Sequence, residues 1–154
     1  MLDLLLPQRI DNDYRGQKIA LVLFALLVLL KGVIGFNSIF HGAMVAGSAD
    51  GIPLDTFGPE GARTVILLFA LLGLAHLVQC LWCALALVRY RAIVPLMFAL
   101  FLLEQLGGKL IHRLLTVTTN AHAPGGIVTL VVYGLTIVGL GLSLWRRGRP
   151  QPPA

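Results

Sequence analysis

Charged side chains are scarce in this sequence, because Asp, Glu, Lys and Arg together make up only 12% of its 154 residues. A typical soluble domain carries about 25%. Hydrophobic residues reach 57%, more than a soluble fold of this size could bury, since small domains have a large surface for their volume. The composition excludes an ordinary soluble domain and predicts an integral membrane protein.

Cysteine is also rare, and the two present, Cys80 and Cys83, lie inside one apolar run. This excludes a secreted fold held together by several disulfides. The pair matches C-x-x-C, but a redox pair usually opens a helix, so we expect both residues to serve packing. No phosphate-binding glycine motif, nucleophile elbow or zinc-protease signature is present.

The net charge of +5 is spread in short clusters between apolar runs. Nucleic-acid binding favours a basic face with interleaved aromatics, so we expect no nucleic-acid partner. A spanning helix needs about 20 mostly apolar residues. The sequence predicts an all-α, four-transmembrane-helix up-and-down bundle with spans at about 18–40, 64–88, 92–115 and 126–145.

The segments outside the spans have distinct predicted roles. Residues 1–17 are expected to lie along the inner membrane surface, since the segment is rich in leucine. The connection 41–63 contains the turn signals GIP and GPEG, and we expect it to fold over the outer face. The tail 146–154 is basic and rich in proline, which predicts a disordered end.

Lys and Arg in the connections predict the orientation, because they are in excess on the cytoplasmic side. Eight lie on the side of the two termini and the second connection, namely Arg9, Arg15, Lys18, Arg89, Arg91, Arg146, Arg147 and Arg149. Three lie on the other side, namely Arg63, Lys109 and Arg113. We therefore expect a bacterial inner membrane protein with both termini in the cytoplasm and the loop 41–63 in the periplasm.

Each predicted span carries one polar residue at the same depth. Thirteen residues separate these positions from a basic anchor at the cytoplasmic end: Lys31 from Lys18, His76 from Arg89, Glu104 from Arg91 and Tyr133 from Arg146. At 1.5 Å per residue this is roughly 20 Å from the anchors, near the middle of the bilayer. Ionisable residues there tend to face the bundle interior, pair with one another and mark functional sites.

From this layer we predict a Lys31–Glu104 ion pair, with His76 and Tyr133 completing the hydrogen bonds. We also expect a cavity among the helices that reaches Glu104 from the outer face. Small residues would let the backbones approach closely at this depth, namely Gly32, Gly35, Gly107 and Gly108. In the fourth span Gly139 and Ser143 form a small-xxx-small pair, an oligomerisation signal.

A second polar group is expected at the outer end of the spans. It consists of Asn37, His41, Lys109, His112 and Arg113, with His122 nearby in the third connection. Three histidines could ligate a metal, but no H-x-x-x-H pair exists and two of the three lie in or beside connections. We therefore expect an outer polar mouth that contacts headgroups or an anionic ligand, and no metal site.

The layout resembles the small four-helix bacterial membrane proteins of the DoxX-like kind. The likeness rests on the stretch LLKGVIGF in the first span, the GIP-containing outer loop and the single acidic residue of a later span, Glu104. The resemblance implies a compact four-helix bundle, and in some cases an association with quinone-linked or redox-related membrane systems.

Three classes of function remain open. The polar layer could bind a small amphiphilic or quinone-like ligand, or relay protons. Alternatively, the chain could be an accessory or assembly subunit of a larger membrane complex, with the layer acting as a structural clasp. It could also be a membrane enzyme that uses Glu104 and His76. The partners expected are membrane lipids and either other membrane subunits or further copies of the chain; the sequence identifies no cofactor.

Overall fold

The protein is seen here as a computed structural model, which describes residues 2–7, 10–115 and 125–145. Within these ranges the regular structure is helical, with no strand. Four long helices cover Lys18–Phe40, Pro59–Arg89, Val94–Leu114 and Gly125–Leu144. Each is long and apolar enough to cross a membrane, and large apolar side chains cover their outer surfaces. The chain is an all-α, multi-pass membrane protein, and the predicted fold class is confirmed.

The observed helix bounds follow the predicted spans with one clear exception. The second helix begins at Pro59 rather than near Thr64, so the GPEG sequence belongs largely to the helix and not to the loop. Pro59 occupies the first turn, where its missing N–H has no partner to lose. Glu60 in the same turn complements the positive end of the helix dipole. The predicted tail 146–154 lies outside the described residues.

The four helices pack unequally. The first helix lies along the second over most of its length and also packs on the fourth, and the third packs mainly on the fourth. The second and third helices, although consecutive in the chain, touch at only a few positions. We call the space between them the lateral opening. The end of the bundle that contains Lys18 and Arg91 is called the basic end, and the opposite end the loop end.

The apolar core lies toward the basic end. Phe24 of the first helix packs against two rings of the third helix, with centroids 5.0 Å from Phe98 and 6.1 Å from Phe101. Such aromatic pairs add to the stabilisation that burial of the rings already provides. In contrast, residues 108–115 of the third helix are all exposed. The third helix therefore packs on its neighbours as far as Gln105, which bonds to Thr136, and its last third, residues 108–114, is exposed.

Glycine explains the close contact between the first two helices. A Cβ on Gly35 would lie 2.9 Å from the carbonyl oxygen of Gly73, and one on Gly73 would lie 2.5 Å from that of Gly35. The predicted close approach at Gly35 is thus observed. At Gly32 the nearest atom would be 3.9 Å away. At Gly107 and Gly108 nothing lies within 4 Å, so the prediction is wrong there, because the lateral opening separates this part of the third helix from its neighbours.

The small-xxx-small pair of the fourth helix is used within the chain. A Cβ on Gly139 would collide with the ring of Phe98, and Ser143 is fully buried beside Gly16. Both positions are therefore covered by this chain's own residues. They offer no free surface for the oligomer contact that the pattern indicated.

The segment before the first helix closes the basic end. Gln17 N–H donates to the carbonyl of Leu142 at 3.2 Å, and Ala92 N–H donates to the carbonyl of Asp11 at 3.2 Å. These bonds tie the segment to the end of the fourth helix and the start of the third. At the loop end, residues that follow the first helix reach the fourth, since a Cβ on Gly125 would lie 2.6 Å from the carbonyl oxygen of Ala49.

Candidate functional site

The ion pair predicted between the first and third helices is present. Lys31 Nζ lies 2.6 Å from Glu104 Oε2, and the lysine side chain is only 6% exposed. The ammonium also lies 4.5 Å from the centroid of the Phe101 ring, where the electron-rich face attracts a cation. A buried ammonium needs such partners, because an unpaired charge in an apolar environment is strongly unfavourable.

His76 of the second helix joins the same carboxylate. Its Nε2 lies 3.3 Å from Glu104 Oε1, and its side chain is 17% exposed. A carboxylate paired with an ammonium only accepts hydrogen bonds, so Nε2 must carry the proton of this bond. The other ring nitrogen, Nδ1, is buried and has no hydrogen-bond partner in the described part of the chain. In neutral His76 it is a free acceptor.

Gln79 is a site residue that the sequence analysis missed. Its side-chain Nε2 donates to Glu104 Oε2 at 2.9 Å. The signal was available, because Gln79 follows His76 by three positions, and residues so spaced share one face of a helix. Glu104 thus accepts hydrogen bonds from three side chains on two other helices. These four residues, Lys31, His76, Gln79 and Glu104, are called the polar cluster below.

Tyr133 does not complete this network, and the prediction that it would is wrong. Its hydroxyl is buried and makes no hydrogen bond with any residue that the structure describes. Its ring instead faces Lys109, whose Nζ lies 5.7 Å from the ring centroid. The polar contact between the third and fourth helices is made by Gln105, which donates to the Thr136 hydroxyl at 2.8 Å. The common depth is borne out for Lys31, His76 and Glu104, whose side chains meet, but not for Tyr133.

Glu104 sits where the bundle is open. Its side chain is 38% exposed, although it bridges the third helix to the first and the second. The second and third helices barely touch, so the carboxylate reaches across the lateral opening instead of lying between packed backbones. The partly exposed carboxylate thus lies beside His76 and Gln79 of the second helix, and the cavity expected from the outer face stays a prediction.

The predicted outer mouth residues lie at the loop end on two helices. Asn37 donates its side-chain amide to the carbonyl of Val33 at 3.0 Å, and His41 ends the first helix. Lys109, His112 and Arg113 are exposed on the last third of the third helix. Among the described residues no hydrogen bond or ion pair links the two groups. Across residues 2–7, 10–115 and 125–145 no three His, Cys, Asp or Glu side chains form a metal-binding group; His122 lies outside these ranges.

The two cysteines occupy packing positions. Cys83 is buried in the apolar core. Cys80 donates its thiol to the carbonyl of Val28 in the first helix at 3.4 Å. Both are free thiols in the interior of the second helix, away from its N-terminus, where the dipole would activate a thiol.

No family model, no curated protein and no solved structure matches this chain. The functional argument therefore rests on the polar cluster and its surroundings.

Proposed function

We propose that the chain binds a small neutral amphiphile of the quinol type, with its polar head at Glu104 and its apolar tail in the lateral opening. One observation carries the proposal. A carboxylate that accepts hydrogen bonds from Lys31, His76 and Gln79 is nevertheless 38% exposed at an opening between apolar helices. A structural clasp has no need for an open side.

Charge balance favours a neutral head group. The opposite charges of Lys31 and Glu104 cancel each other. A charged head would bring an unpaired charge into an apolar environment, which is costly without a counter-ion. A neutral head carries no such penalty.

Hydrogen-bonding capacity favours a head that donates. Glu104 Oε1 has capacity left beyond its single bond to His76, because a carboxylate oxygen has two lone pairs. A partly exposed oxygen that only accepts hydrogen bonds matches a hydroxyl group better than a carbonyl group. We therefore infer that the reduced, dihydroxy form of a quinone would bind more tightly than the oxidised form.

The test is equilibrium binding to the full chain in neutral-lipid nanodiscs under anaerobic conditions, using quenching of tryptophan fluorescence. A short-chain quinol should bind more tightly than its quinone. Glu104→Gln should weaken quinol binding by about tenfold or more, because hydrogen bonds to charged groups contribute about 1.5–3 kcal/mol. Glu60→Gln, which removes an exposed carboxylate at the loop end, is the matched control. Equal affinity for quinol in wild type and Glu104→Gln would refute the proposal.

The accessory-subunit reading remains the alternative, and the exposed last third of the third helix favours it. Residues 108–115 are all exposed and include both apolar and basic side chains, as a helix covered by another subunit would. In that case the chain purified from its native membrane in mild detergent should carry a stoichiometric protein partner. The ligand proposal predicts instead a co-extracted small amphiphile that is lost in Glu104→Ala.

The kind of membrane and the orientation of the chain in it form part of the same proposal. We place the chain in a bacterial inner membrane with the basic end in the cytoplasm, supported by the excess of Lys and Arg at that end. We also propose the resemblance to DoxX-like proteins, which rests on LLKGVIGF, the GIP-containing loop and Glu104. Such a resemblance agrees with a quinone-linked role.

A further inference from the structure

A cavity of about 440 Å³ lies at the basic end, on the outside of the first and second helices. It is remote from the polar cluster and plays no part in the function proposed above. Its volume is within the range of small-molecule sites, about 300–1,000 Å³. It is open on one side, and the described residues that line it are Asn12, Tyr14, Lys18, Leu21, Val22, Leu87 and Arg91.

The lining changes in character along the membrane normal. Lys18 is the first residue of the first helix, and Arg91 follows the end of the second helix. Leu21 and Val22 lie in the next turn of the first helix, and Leu87 lies in the last turn of the second. The cavity therefore joins two cations at the helix ends to an apolar wall one turn deeper.

Neither cation forms an ion pair with a residue that the structure describes. Arg91 donates Nε–H to the carbonyl of Leu87 at 2.9 Å, a bond that does not use its two terminal NH₂ groups. No carboxylate is among the described lining residues. The nearest acidic groups in sequence have local partners, since Asp13 pairs with Arg15 at 3.7 Å and Asp11 accepts from the Asp13 backbone N–H.

We propose that this cavity binds the phosphate headgroup of an anionic phospholipid, such as phosphatidylglycerol, from the leaflet that surrounds the basic end. Lys18 and Arg91 hold the phosphate, and the Asn12 amide can donate to it or to the glycerol. The first carbons of the acyl chains lie against Leu21, Val22 and Leu87. A free phosphate ion would use the cations but not the apolar wall, so the combined lining favours the lipid. Basic pockets between membrane helices commonly serve this purpose.

The experiment is native mass spectrometry of the full chain released from detergent, titrated with phosphatidylglycerol or phosphatidylcholine. One phosphatidylglycerol should bind in preference to phosphatidylcholine. The double variant Lys18→Gln with Arg91→Gln should bind it about 10- to 30-fold more weakly, because each cation near a lipid surface contributes about 1 kcal/mol. The double variant Arg15→Gln with Arg89→Gln removes the same charge at the same end outside the cavity, and should bind as the wild type does.

Val22→Trp supplies a test that changes no charge. Val22 is largely exposed, so the larger side chain fills the cavity without disturbing the core, and phosphatidylglycerol binding should fall. Equal loss in both charge variants would show a non-specific basic surface and overturn the proposal, as would no loss in Lys18→Gln with Arg91→Gln or in Val22→Trp. Displacement of the lipid by millimolar inorganic phosphate would assign the site to the free anion instead.

Discussion

Lys31 and Glu104 meet at 2.6 Å across 73 positions of sequence, yet they are unequally covered, with side chains 6% and 38% exposed. The lysine is sealed within the bundle by the first helix's packing and by Phe101. The carboxylate brings a negative charge to the lysine from the open side. This asymmetry separates the site from a fully enclosed ion pair, in which both partners would be sealed.

The first prediction concerns the coupling of these two residues. Glu104→Ala leaves the buried Lys31 ammonium without its counter-ion, and should destabilise the fold by about 3 kcal/mol, the lower end of the range for broken buried pairs because Glu104 is partly exposed. Lys31→Met with Glu104→Gln should be more stable than either single change. The free energy of unfolding, measured by SDS titration in bicelles, checks this. Effects that simply add would mean that the two residues do not interact.

The second prediction concerns the glycine contact between the first and second helices. Gly73→Ala places a methyl group 2.5 Å from the carbonyl oxygen of Gly35, so the helices must separate and the fold should lose about 1–3 kcal/mol, as in other overpacked sites. Gly107→Ala is the matched control, because nothing lies within 4 Å of its added Cβ. There the better helix propensity of alanine should stabilise by up to about 1 kcal/mol. The same SDS titration measures both, and equal effects would contradict the packing described.

Sequence reasoning identified the fold class and the ion pair because both depend on one-dimensional patterns. Apolar length defines a span, and a count of residues from Lys18 and Arg91 gives the depth of Lys31 and Glu104. The same reasoning wrongly predicted a hydrogen bond from Tyr133 to the polar cluster and a close helix contact at Gly107. Both depend on which helices pack together, and a one-dimensional pattern does not contain that information. Nothing in the sequence indicates that the consecutive second and third helices stay apart.

The third prediction concerns orientation. Because Lys and Arg are concentrated at the basic end, a reporter fused after Ala154 should be active only if it functions in the cytoplasm. A reporter inserted near Asp50 should behave as periplasmic. The paired use of alkaline phosphatase and a cytoplasm-active fluorescent protein at each site checks both statements. The reversed pattern would overturn the proposed orientation and leave the four-helix architecture unaffected.

The central claim is that an amphiphile reaches Glu104 through the lateral opening, and photolabelling from within the bilayer tests it most directly. The probe is a neutral, hydroxyl-bearing alkyl diazirine in vesicles that contain the full chain, with labelled positions mapped by peptide mass spectrometry. The account predicts labelling concentrated around Gln79 and Glu104, suppressed by excess short-chain quinol and reduced in Glu104→Gln. Labelling spread evenly over the exposed apolar faces of all four helices, and unchanged by quinol, would contradict it.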